Sequence, residues 1–150
     1  MLEDVERRLK NTEDNIIIDA GAYIGNHTIF FATHCNASRV ISFEPFKPSY
    51  EQLIANINLN GLKDIVQVHN VALGEKKGSA SVEVLDENNK GANRVSMGSG
   101  SDVRIVTLDS LLLKKLSRVD LMKIDVEGME IPLLKGALET IEEFSPILYI

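Results

Sequence analysis

The chain has no tryptophan, one cysteine, three histidines and four prolines among its 150 residues. A single cysteine, Cys35, excludes an internal disulfide and points to a reducing compartment. His34 and His69 have no ligand-like spacing, and with one cysteine beside them no metal site is expected. No apolar run approaches the roughly 20 residues that span a bilayer, and no signal-peptide pattern opens the chain. The expectation is therefore a cytoplasmic protein with no membrane partner. Cations are also in the minority. Sixteen Lys and Arg stand against 22 Asp and Glu, a net charge of −6 with a pI near 5.1. No basic stripe appears, which excludes a general affinity for nucleic-acid backbones. No Ser-His-Asp order, glycine-flanked nucleophilic serine, internal repeat or linker stands out either.

What is present is ordinary in bulk: 44% hydrophobic and 25% charged residues, enough for one domain with a real core. The informative part is local. Residues 15–25 read Asn-Ile-Ile-Ile-Asp-Ala-Gly-Ala-Tyr-Ile-Gly. Three β-branched residues run into Asp19, a glycine-bearing turn and an apolar helical stretch. This pattern predicts a buried strand feeding a helix through a loop that lets backbone approach a ligand. An acid two positions before the first glycine is unlike a phosphate-binding loop, because a carboxylate repels a phosphate dianion. Asp19 instead suits a ligand with a positive group, such as the amino group of a methionine moiety. A second apolar run, Val40-Ile-Ser-Phe43, ends in Glu44-Pro45. A carboxylate at the tip of the second strand is placed to accept both hydroxyls of a ribose. The bland alternatives are a helix-terminal charge for Asp19 and a solvated strand end for Glu44.

The apolar spacing predicts helices over residues 2–10, 26–34, 48–59 and 130–143, and strands over 16–20, 39–44, 65–71, 119–125 and 147–150. Asn60-Gly61 closes the third helix as a C-terminal cap. Residues 74–100 change to Gly, Ser, Lys and Asn and predict a hairpin-like excursion, with a mobile loop over 88–101 that carries Arg94. Residues 103–108 predict an edge strand, followed by a short helix capped by Asp109. Alternating strands and helices give an α/β fold, a Rossmann-like, doubly wound, mostly parallel sheet. Asp19, Glu44, Asn70 and Asp125 all fall at or near carboxyl ends of predicted strands, where such sheets bind ligands.

Five blocks carry a family resemblance: Asp19-Ala-Gly-Ala-Tyr-Ile-Gly, Phe43-Glu-Pro, Asn70-Val-Ala-Leu-Gly, Thr107-Leu-Asp-Ser-Leu and Val119-Asp-Leu-Met-Lys-Ile-Asp-Val-Glu-Gly-Met-Glu. They resemble the signature blocks of the FkbM methyltransferases, which use S-adenosylmethionine on a class I core. The resemblance covers residues 14–150; the family pattern has Asn where Tyr23 stands. It implies that the backbone of Gly21, Ala22, Tyr23 and Gly25 faces the methionine portion, with Asp19 near its ammonium group. Glu44 takes the ribose hydroxyls. Phe46 or Pro45 covers one face of the adenine, and Asn70 with the Val71-Ala72 backbone meets its edge. Asp125 borders the sulfonium methyl, and Asp125 or Glu127 orients an acceptor or removes its proton. The other role open to Glu127 is to shape the start of the next helix with Gly128. Lys123, two residues before Asp125, either pairs with a carboxylate or contacts substrate.

The resulting expectation is methylation of oxygen on a small-molecule or glycan-like acceptor. A nicotinamide-dependent oxidoreductase shares Glu44 and the fold, although its loop needs no acid at Asp19. A third possibility is a C-terminally short, non-catalytic cofactor-binding domain lacking the last antiparallel strands. In that case strand five is an exposed edge open to homo-oligomeric pairing.

Overall fold

The computed structural model describes residues 1–84, 93–96 and 103–150. Helix α1 (Leu2–Leu9) leads into β1 (Asn15–Ala20), α2 (Asn26–His34), β2 (Ala37–Phe43), α3 (Lys47–Leu59) and β3 (Val66–His69). Short strands β4 (Ala72–Leu73), β5 (Gly78–Val84), β6 (Asn93–Ser96) and β7 (Val103–Val106) follow. Then come α4 (Leu108–Leu112), a 3₁₀ turn (Leu113–Lys115), β8 (Leu121–Ile124), α5 (Glu130–Lys135), α6 (Leu138–Phe144) and β9 (Ile147–Tyr149).

Five strands form one sheet in the order β3-β2-β1-β8-β9, every neighbouring pair parallel. Successive side chains of a strand face opposite ways, and here both sets are apolar. Ile17, Val40 and Leu121 pack with Val5, Phe31 and Leu53 on one face. Ile18, Ile41 and Met122 pack with Leu108, Leu112 and Leu133 on the other. Two covered faces explain why the strand sequences show no hydrophobic alternation. The doubly wound, mostly parallel α/β fold expected from the sequence is the one observed. The Tyr149 hydroxyl donates to Asp4, tying β9 to α1.

A second sheet, order β4-β7-β5-β6, holds the excursion. Here β7 lies between β4 and β5, so residues 103–106 form an interior strand and not the expected edge. Of the loop expected over 88–101, residues 93–96 pair antiparallel with β5; the rest, and the Arg94 side chain, lie outside the described residues.

Two elements differ from expectation for a shared reason, a distant polar partner. Strand β3 stops at His69, and the Asn70 side-chain amide then donates to the Glu44 and Pro45 carbonyls, at 2.8 and 3.0 Å. The predicted final helix is two helices, broken at Gly136. The Gly136 carbonyl, which a continuous helix would pair with the Thr140 N–H, accepts the Asp109 N–H at 3.1 Å. The Thr140 N–H goes to the Asp109 carboxylate at 2.9 Å, and the Glu139 N–H joins it at 3.2 Å. Asp109 therefore caps α6 across the fold, while Thr107 Oγ1 caps α4 by accepting the Ser110 N–H. The break also turns Leu138, expected on the packed face, out to solvent.

Candidate active site

At the carboxyl ends of β1, β2 and β8 lies a cleft of about 180 Å³. Gly21, Tyr23, Glu44, Pro45, Phe46, Ala72, Asp125 and Glu127 line it, all residues singled out from the sequence; Phe43, Val71, Leu73, Val126 and Met129 add apolar wall. Asp19, Ala22, Gly25, Asn70 and Lys123 lie outside the lining.

The turn after β1 explains the arrangement. Gly21, Tyr23 and Gly25 have φ of +77°, +51° and +97°. A Cβ on Gly21 would overlap the Asp125 carbonyl oxygen, so only glycine lets these two backbones touch. This winding turns the loop's donors inward. The Gly21 and Ala22 N–H groups both donate to the Phe43 carbonyl at 3.0 Å, and the Gly25 N–H donates to the Ala22 carbonyl. The Tyr23 N–H donates to Glu44 Oε2 at 2.8 Å. These four N–H groups are thus unavailable for a phosphate: three serve backbone carbonyls, and the fourth, of Tyr23, serves the protein's own carboxylate.

Glu44 is 7% exposed. Its other oxygen, Oε1, accepts the Phe46 N–H at 2.8 Å. Burial pushes its pKa above the ordinary carboxylate range, opposed by the two N–H donors. A carboxylate offers about four lone-pair sites, so each oxygen retains acceptor capacity after one N–H bond.

Asp19 is fully buried beneath the turn. Its Oδ2 accepts the Thr28 hydroxyl at 2.6 Å, and Thr28 Oγ1 lies 2.9 Å from Ser42 Oγ. Its Oδ1 has no hydrogen-bond partner among the described residues and sits 3.3 Å from the Lys123 ammonium. Lys123 pairs with carboxylates, as one of its two sequence readings held. Thr28 and Ser42 were not singled out from the sequence. Ser42 carried a signal, as the one hydroxyl within the apolar run Val40–Phe43. On the far wall, Glu127 has φ of +41° ahead of Gly128 at +88°. Glu130 Oε1 accepts the Gly128 N–H at 3.0 Å, which fixes the turn into α5. The His69 ring stacks on Phe43 with centroids 5.1 Å apart, and burial lowers its pKa, favouring the neutral ring.

The model of the methyltransferase FkbM domain matches residues 19–150. The chain belongs to this family. Among curated relatives of this FkbM chain, Methyltransferase 1 of Beauveria bassiana is 26% identical over 83% of the chain and 59% of its own length. The hexuronic acid methyltransferase AglP of Haloferax volcanii is 25% identical over 99% of the chain and 58% of its own. The chain thus spans a little under three fifths of the length of these two relatives. The crystal structure of an FkbM methyltransferase from Methylobacillus flagellatus has the same fold, with a TM-score of 0.64, 20% identity, and coverage of 91% of this chain and 32% of that one.

Proposed function

We propose that this FkbM chain binds S-adenosylmethionine in the cleft and serves methyl transfer to an oxygen of a small-molecule or glycan-like acceptor. Glu44 carries the reading. A carboxylate buried at a strand tip, with one N–H on each oxygen and acceptor capacity left over, fits a vicinal diol such as a ribose. Asp19 Oδ1, buried 3.3 Å from the Lys123 ammonium and without a hydrogen bond among the described residues, places negative charge beneath the turn, which favours an ammonium group reached through water. Phe46, Pro45, Val71, Ala72 and Leu73 offer apolar wall suited to a planar base. When bound, the cofactor supplies an electrophilic methyl group on a sulfonium.

The chain's own residues hold and align the reactants, the main requirement of an in-line displacement. Asp125 and Glu127 stand exposed on the β8 side of the cleft, where an acceptor hydroxyl needs a proton acceptor. Asp125 is held 3.6 Å from the Lys123 ammonium, whereas Glu127 has no ion pair among the described residues. Glu127 is therefore the proton acceptor and Asp125 the orienting group. General-base assistance of this kind is worth ~10²–10⁴-fold. The glycan-like acceptor is supported by the Haloferax relative, whose name states hexuronic acid.

Self-association through the edge of β9, which among the described residues pairs with β8 alone, belongs to the same reading, and sedimentation as a monomer at high concentration counts against it. So does a cytoplasmic location, which the lone buried cysteine supports. No helix among the described residues is long and apolar enough to cross a membrane.

Glu44 would serve a nicotinamide dinucleotide equally well, but the inward-turned N–H groups leave its pyrophosphate few donors. Calorimetric titration with S-adenosylhomocysteine and with NAD separates the two. Saturable binding of the former alone is expected; binding of NAD alone reverses the assignment.

A further inference from the structure

Among the described residues Lys123 is the one buried cation, 3% exposed, and it does not line the cleft. An ammonium offers three donors and accepts nothing, and this one faces three oxygens from three places. It donates to the Gly21 carbonyl at 2.8 Å, lies 3.3 Å from Asp19 Oδ1 and 3.6 Å from Asp125 Oδ2. Its position follows from register, because Asp19 and Lys123 are partners across β1 and β8.

We propose that Lys123 is a positioning residue that locks the Gly21 turn to the Asp125 carboxylate, so that the two walls of the cleft keep one fixed geometry. The inference rests on the cofactor reading above. Behind the cleft, Ser42, Thr28, Asp19 and Lys123 form a continuous polar chain from β2 to β8. From Lys123 it reaches Asp125, which, unlike those four, is open to solvent. The Asp125 N–H also donates to the Ala20 carbonyl at 3.0 Å, beside the backbone contact that Gly21 permits. Motion of the turn therefore reaches Asp125, and the ammonium is the joint.

The competing role is charge balance alone, in which Lys123 only neutralises buried Asp19. Removing one partner of a buried pair is strongly destabilising, so Lys123→Met by itself does not separate the two roles. Lys123→Arg keeps the charge while changing the donor geometry. Asp19→Asn with Lys123→Met removes both charges and is compared with Asp19→Asn alone. Thermal unfolding and S-adenosylhomocysteine titration are read on each.

A positioning role predicts near-parental melting but roughly tenfold weaker binding for both Lys123→Arg and the double variant, the scale of a lost charged hydrogen bond. It also predicts that Asp125→Asn costs less affinity in the double variant than in the Asp19→Asn protein, because the coupling through Lys123 is gone. Parental affinity in a folded Lys123→Arg protein overturns the proposal, whether or not the double variant folds. If the unaltered chain fails to bind S-adenosylhomocysteine, the cofactor reading itself falls. If it binds and the variants bind equally, only the role of Lys123 does.

Discussion

The Tyr23 N–H reaches Glu44 Oε2 at 2.8 Å from a backbone held at φ +51°, a left-handed conformation that tyrosine seldom adopts. The turn that brings Gly21 against the Asp125 carbonyl and the turn that fixes Glu44 are one structure. Replacing Glu44 by Ala removes the anchor of the turn and the acceptor of the proposed ribose hydroxyls together. The expected loss of cofactor affinity is about 1–3 kcal/mol, the scale of a hydrogen bond to a charged group. Unchanged affinity by calorimetry removes Glu44 from the site.

Tyr23→Asn tests the strain. Asparagine tolerates the left-handed region through its short polar side chain, and the Tyr23 N–H bond is made by backbone. Stability should rise by about 0.5–1 kcal/mol in urea unfolding, with binding retained. A loss of stability instead assigns Tyr23 a packing role larger than its strain.

Two glycines with similar φ should respond differently to alanine. Gly61, at +69°, has nothing within 4 Å of an added Cβ, so Gly61→Ala costs only the left-handed penalty of about 1–2 kcal/mol. Gly21, at +77°, adds overlap with the Asp125 carbonyl oxygen. Its replacement should cost about 3 kcal/mol or more and abolish binding. Equal melting temperatures for the two variants contradict the contact.

Glu44 also sets a pH dependence. Burial raises its folded pKa above the ordinary 4.5. Protonation is thus favoured in the fold: the residue's contribution to stability is complete below the unfolded pKa and is lost as pH rises through the folded one. Hydroxyl donors favour the ionised form, so cofactor binding should strengthen as pH rises through that folded value and release a proton. Calorimetry in buffers of different ionisation enthalpy reads the proton, and Glu44→Gln should flatten the profile. A flat profile in the unaltered chain contradicts this.

Asp109→Ala removes the acceptor of the Glu139 and Thr140 N–H groups and of the Thr140 hydroxyl. A stability loss of about 1–2 kcal/mol is expected, as for other helix caps, with cofactor affinity unchanged. Urea midpoints check the first and titration the second.

These residues mark how far the sequence could be read. Helices α1, α2 and α3 and the first two strands were legible because their signals are local: apolar spacing, Pro48 in the first turn of α3, and Gly61 after its end. The break at Gly136 was not, because its cause is Asp109, 27 positions earlier in the chain. The end of β3 likewise depends on Asn70 reaching back to Glu44 and Pro45. At the cleft, Glu44 and the glycine turn were legible from motif spacing. The inward direction of the turn's N–H groups was not, since it depends on the Phe43 carbonyl of a neighbouring strand. Thr28 and Ser42 were missed because each hydroxyl reads alone as a tolerated polar residue, and only the fold brings them to Asp19.

A crystal structure of the chain with S-adenosylhomocysteine tests the cofactor assignment most directly. Both ribose hydroxyls should lie within hydrogen-bonding distance of Glu44, roughly 2.5–3.0 Å, with the adenine between Phe46 and the Val71–Leu73 wall. A ligand seated elsewhere, or a Glu44 bonded only to Tyr23 and Phe46 beside a bound ligand, contradicts it.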